Sequence, residues 1–140
     1  GIKVIEFNAR FGDPETEVIL PRMTSDICQV FCDIVDGKQP TITWNEMATL
    51  GIVLASKGYP GSYEKGYAIE GTEEVDGSIY HMGTALKDGK YVTSGGRVMI
   101  VVCQAPTLRE AQQKAAAEVA KIKCENLFHR TDIGDKAFKY

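Results

Sequence analysis

The sequence predicts an α+β fold: a strand with one polar face and two short helices, followed by a small antiparallel β-rich unit with one packed helix. Three observations carry this prediction. Residues 3–11 alternate apolar and polar side chains, short β-like runs separated by glycine-rich turns follow Pro40, and a capping box at Thr107 opens a run of apolar positions at helical spacing. With 140 residues, 44% of them hydrophobic and 25% charged, the chain is long enough to bury a core and lies in the range of one domain or two small units.

In the opening stretch Ile5, Phe7, Ala9 and Phe11 fall on one face, expected to be core, and Glu6, Asn8 and Arg10 on the other. Asp13-Pro14-Glu15 reads as a helix start, with Asp as N-cap, Pro at the first helical position and Glu in the first turn; Pro21 ends the segment. A second helix is expected over about residues 25–35, with Ile27, Val30, Phe31, Ile34 and Val35 on one face and Gly37 as its stop. Beyond Pro40, β-like runs are expected at 47–56, 78–86, 90–93 and 97–104, and Asp88-Gly89 supplies the positive φ angles of a tight hairpin turn. Thr107 and Glu110 form the capping box, and Leu108, Ala111, Ala115, Val119 and Ile122 extend the helix to about residue 123. The boundary between the two units is placed at residue 40, giving 1–40 and 41–140. The tail from Asn126 to Tyr140 shows no obvious linker.

Charge and composition exclude several functions. A formal net charge of −3 leaves no general basic surface for a phosphate backbone, so nucleic acid is not an expected partner. No apolar run approaches the roughly 18 residues that span a bilayer, and no signal peptide is recognisable, so a cytoplasmic protein with no membrane partner is expected. Cys28, Cys32, Cys103 and Cys124 sit singly in apolar segments without a CxxC pair and are expected to be buried thiols. The one-turn spacing of Cys28 and Cys32 also admits a metal or disulfide reading, to which the two histidines add little. The chain starts at Gly1 and enters a strand at once, as expected of a piece cut from a longer protein.

The opening strand concentrates the chemistry. Same-face residues on a strand stand about 6.5–7 Å apart, so Glu6 and Asn8 can both reach one ion above it. A carboxylate and an amide oxygen are hard ligands, suited to Mg²⁺ or Mn²⁺, ions that take most of their coordination from water and phosphate oxygens. Arg10, next along the row, offers a planar fork for a phosphate or acyl phosphate, and the free N–H groups of the helix after Asp13 offer a further anion site. The same residues also read as a solvated strand face, with Asp13 a simple cap. The 58–66 loop, Gly-Tyr-Pro-Gly-Ser-Tyr-Glu-Lys-Gly, likewise has two readings: a plain turn, or a flexible cover over a site, with Lys57 and Lys65 flanking a backbone that can approach a ligand closely.

Glu6-Phe7-Asn8-Ala9-Arg10-Phe11-Gly12-Asp13-Pro14-Glu15 resembles the metal-binding strand and signature of the phosphoribosylamine–glycine ligase family of ATP-grasp enzymes. Leu54-Ala55-Ser56-Lys57-Gly58-Tyr59-Pro60-Gly61, Ser94-Gly95-Gly96-Arg97-Val98 and Phe128-His129-Arg130-Thr131-Asp132-Ile133-Gly134 resemble the C-terminal domain of that family, in order. The resemblance implies that residues 1–40 end an ATP-grasp domain and that 41–140 are the phosphoribosylglycinamide synthetase C-domain. It implies a reaction in which ATP phosphorylates glycine and the amine of 5-phosphoribosylamine attacks the glycyl phosphate, giving glycinamide ribonucleotide, ADP and phosphate. Glu6 and Asn8 are then metal ligands, Arg10 the catalytic cation, and Gly12, Asp13, Lys57 and Gly61 candidate substrate or phosphate contacts. The family's nucleotide clamp, its earlier metal carboxylate and its phosphoribosylamine pocket have no counterpart in these 140 residues, so the chain by itself is expected to be inactive. Two other readings are another ATP-grasp ligase or carboxylase, and a non-catalytic packing domain.

Overall fold

The computed structural model describes residues 1–139; Tyr140, the end of the expected tail, lies outside them. The long strands form where the apolar runs are densest. β1 (Ala48–Ser56) and β5 (Arg97–Ala105) pair antiparallel from Ala48↔Ala105 to Leu54↔Met99. β2 (Ser78–His81) adds to the far side of β5 and the two-residue β6 (Leu127–Phe128) to the far side of β1, so that among the described residues the sheet order is β2-β5-β1-β6. β3 (Thr84–Lys87) and β4 (Lys90–Thr93) form a separate hairpin, with Asp88 at φ 51° and Gly89 at φ 77° making the expected turn. The run expected at 78–86 is thus two strands, broken at Met82-Gly83, where both N–H groups turn to the Val98 carbonyl.

α3 (Leu108–Val119) covers one face of the sheet. Its capping box forms as expected: Thr107 Oγ1 accepts from the Glu110 N–H, and the Glu110 carboxylate accepts from the Thr107 N–H at 3.0 Å. The helix ends near Val119 rather than 123. Ala111 and Ala115 are fully buried and let it lie close to Leu50, Ile52, Leu54, Met99 and Val101, each large side chain contributing about 1.5–3 kcal/mol by leaving water. The other face carries α1 (Glu15–Ile19) and the 3-10 turn Leu20–Arg22. Val18 reaches Gly51 so closely that a β-carbon there would stand 2.8 Å from Val18 Cγ1. Both faces of β5 are therefore covered, which is why it reads as a near-continuous apolar run rather than an alternation.

Glu118 is a buried charge on α3. Its carboxylate accepts from the Asp76 N–H and from the Lys121 ammonium, each at 2.6 Å, and the Lys121 contact followed by the backbone bond holds its carboxyl below the usual range. The folded chain therefore binds this proton less readily than the unfolded chain. The stabilisation is complete above the unfolded carboxylate value of about 4.3 and is lost as pH falls through the folded one. Thermal melts between about pH 6 and pH 3 should show a shallower acid limb for Glu118→Gln than for the parent sequence.

In the first 40 residues the expected strand and the expected burial of Cys28 and Cys32 are corrected. Residues 3–11 are extended but form no strand, and the face expected to be core is open, with Ile5 97% and Phe7 91% exposed. Alternation sorts side chains between faces, but a strand also needs a neighbour for its N–H and C=O groups, and none pairs with this arm among the described residues. α2 (Ile27–Val35) forms, capped by Asp26, whose side chain accepts from Cys28 N and Gln29 N, yet of its apolar face only Val30 is buried. Phe31 instead meets Phe11, ring centroids 6.2 Å apart. Cys28 and Cys32, on that uncovered helix, are exposed free thiols; Cys103 is buried as expected and Cys124 is partly buried.

Candidate functional site

The arm retains the local geometry that its spacing dictates. Extended backbone brings residues two apart to the same side, and Asn8 Nδ2 donates to Glu6 Oε1 at 3.2 Å. The two side chains are therefore close enough to address one small cation. They supply oxygen donors alone, which fits Mg²⁺ or Mn²⁺ with water and phosphate completing the shell; no group of three or more His, Cys, Asp and Glu side chains is arranged for a metal among the described residues.

Arg10 does not continue the row. The chain bends at Ala9 and Arg10, and the guanidinium donates to the Phe11 carbonyl at 2.9 Å. Past it, Gly12 packs against Glu15, and its carbonyl accepts from both the N–H and the hydroxyl of Thr16. Asp13 is not a helix cap. Pro14 holds the N-cap position with no side-chain capping bond, and Asp13 faces Arg97 instead. The helix expected to present an anion site is only five residues long, and its Thr16 N–H is already bonded to the Gly12 carbonyl.

Arg97 lies in a stretch that the sequence reading quoted but gave no role. Its Nη1 donates to the Asp13 carbonyl at 2.7 Å and lies 3.4 Å from Asp13 Oδ1, joining the arm to the first residue of β5. The β1–β5 register slips beside it: Leu54 faces Met99 but Ala55 faces Arg97, so Val98 is an extra residue on β5. Such a bulge re-aims the neighbouring side chain.

The 58–66 loop begins as a fixed turn. Tyr59 N–H donates to the Ser56 carbonyl, Gly61 N–H to the Gly58 carbonyl, and Gly58 adopts φ 96° with its α-carbon facing the Ser62 carbonyl. Lys57 is anchored through its backbone N–H to the Asn126 carbonyl and its side chain is exposed. Tyr59 lies on Gly96, where a β-carbon would stand 2.1 Å from the ring. The turn thus abuts the residue before Arg97, and one line of contact runs from Tyr59 through Gly96 and Arg97 to Asp13. Glu6 and Asn8 meet each other; Asp13 meets Arg97; Lys57 and Gly61 belong to the turn whose Tyr59 lies on Gly96.

These features define a class: an antiparallel α+β domain with helices on both faces of its sheet, holding at Asp13 the base of an extended arm. Within it, the chain belongs to the family described as phosphoribosylglycinamide synthetase, C domain, whose model matches residues 49–136. A relative from Halalkalibacterium halodurans named phosphoribosylamine–glycine ligase is 55% identical over 139 residues, covering 98% of this chain and 32% of its own length. One of the same name from Streptococcus pneumoniae is 49% identical, covering 99% and 34%. The crystal structure of phosphoribosylamine–glycine ligase from Thermotoga maritima superposes with a TM-score of 0.83 at 36% identity, over 94% of this chain and 33% of that one. The chain spans about a third of the length of these relatives. No helix among the described residues is long and apolar enough to cross a membrane.

Proposed function

We propose that the chain works as part of a phosphoribosylamine–glycine ligase, residues 1–40 ending its ATP-grasp domain and 41–140 forming its C-domain. The full-length cytoplasmic enzyme joins glycine to 5-phosphoribosylamine at the expense of ATP, through glycyl phosphate. The observation that carries this reading is the match to relatives of that name over 98% of the chain, so that the arm is covered together with the C-domain.

In this reading Glu6 and Asn8 hold Mg²⁺ or Mn²⁺, which offsets phosphate charge as the glycine carboxylate approaches. Arg10 leaves its bond to Phe11 and aligns the transferring phosphoryl group or the acyl phosphate. The Gly12–Asp13 corner sets the direction in which the arm leaves the C-domain, while Lys57 and Gly61 border the turn that supports it. Neighbouring strands of the full-length enzyme cover Ile5 and Phe7 and complete the strand that the alternation describes.

The test is ADP release by the full-length protein with each acceptor acid supplied in turn. Release that requires glycine and 5-phosphoribosylamine is expected, with none from residues 1–140 alone. Bicarbonate-dependent release identifies a carboxylase of the same superfamily instead, and no acid-dependent release identifies a packing domain.

A further inference from the structure

The sequence singles out Ser94-Gly95-Gly96-Arg97-Val98 without giving it a task, and the structure shows a residue built to hold still. Gly83 packs where a β-carbon would meet the Arg97 carbonyl at 2.6 Å, and one on Gly95 would meet the Gly83 α-carbon at 3.0 Å. Ser56, fully buried, donates its hydroxyl to the Gly95 carbonyl and its N–H to the Gly96 carbonyl, both at 2.8 Å. The Tyr59 ring closes over Gly96. The backbone before Arg97 is thus clamped by two separate segments, the Gly83 corner and the Ser56–Tyr59 turn, and the bulge at Val98 re-aims the guanidinium. It ends on Asp13, three residues beyond Arg10 and five beyond Asn8.

We propose that Arg97 is a positioning residue for the ligase reaction: by holding the Asp13 carbonyl and carboxylate, it fixes where the arm carrying Glu6, Asn8 and Arg10 leaves the C-domain. The inference rests on the function assigned to that arm above. A pure stability role is a poor fit, because the two side chains are 38% and 44% exposed, and a pair so accessible to water and salt adds little to folding. A charged donor on a backbone carbonyl is directional, however, and directional restraint is what an otherwise unpaired arm lacks. Displacing reacting groups by about 1 Å is enough to cost up to a hundredfold in rate.

The test uses the full-length protein with Arg97→Ala, Arg97→Lys and Asp13→Asn. Arg97→Ala should lower kcat roughly three- to thirtyfold and raise the Mn²⁺ concentration for half-maximal activity several-fold, with the thermal midpoint nearly unchanged. Arg97→Lys, still able to reach the carbonyl, should recover part of the loss, and Asp13→Asn, which keeps that carbonyl, should be milder than Arg97→Ala. Amide exchange over residues 3–12 should quicken in Arg97→Ala. Unchanged kcat, metal dependence and exchange overturn the proposal, as does a loss explained by a lower midpoint. If the parent protein shows no glycine-dependent ADP release, the ligase reading fails while the exchange measurement still decides whether Arg97 holds the arm.

Discussion

Changing Glu6 to Gln in the full-length protein is expected to lower kcat about a hundredfold or more and to raise the metal concentration that supports half-maximal turnover. The substitution keeps the shape of the side chain and can still bond Asn8, whose amide already contacts Glu6. What it removes is the negative charge, and a hard dication beside phosphate oxygens depends on anionic protein ligands because neutral amides compete poorly with water. Glu6 is exposed, and the substitution leaves Ile5 and Phe7 on the other face untouched, so no apolar packing is lost and the melt should change little. Steady-state kinetics with Mn²⁺ and Mg²⁺ varied separately, next to a melt, measures both. A normal rate with normal metal dependence returns Glu6 to a solvated surface.

The sheet was legible because its strands carry their own punctuation. Asp88-Gly89 fixes the β3–β4 register locally, and Thr107 with Glu110 marks the start of α3 from four residues alone. Where structure depends on distant partners, the sequence was a poorer guide. The alternation in residues 3–11 brings Glu6 and Asn8 together but does not carry on to Arg10, and no strand forms without a neighbouring one. The apolar stripe of α2 predicts a helix, but a stripe states only that a face is apolar, and Phe31, Ile34 and Val35 lie open with Cys28 and Cys32 among them.

The candidate site divides in the same way. Asp13 before Pro14 and Glu15 has every local mark of a cap, and local marks cannot report a guanidinium 84 residues away that competes for it. Arg97 itself carries only a weak signal: two adjacent glycines before an arginine at the head of an apolar run, a place where backbones approach closely and a side chain is set at a strand end. The glycines were visible; the packing of Gly83, Ser56 and Tyr59 around them was not, because it depends on the β1–β5 pairing and its bulge.

Arg10→Lys in the full-length protein is expected to cut turnover roughly ten- to a thousandfold, the scale of losing one aligned donor, while ATP binding changes much less. Lysine preserves the charge but not the planar fork, and a phosphoryl group moving between oxygens is held by geometry as much as by charge. The structure gives the residue no other evident duty. Arg10 is exposed, and its bond at 2.9 Å to the carbonyl of the next residue is one that water can replace on a solvated arm. A stability role therefore predicts a small effect on the melt and none on catalysis, whereas a role at the acyl phosphate predicts the reverse. Varying glycine and ATP separately distinguishes them: a fall in kcat with the KM for ATP nearly constant supports the catalytic role, and an unchanged kcat removes Arg10 from the chemistry.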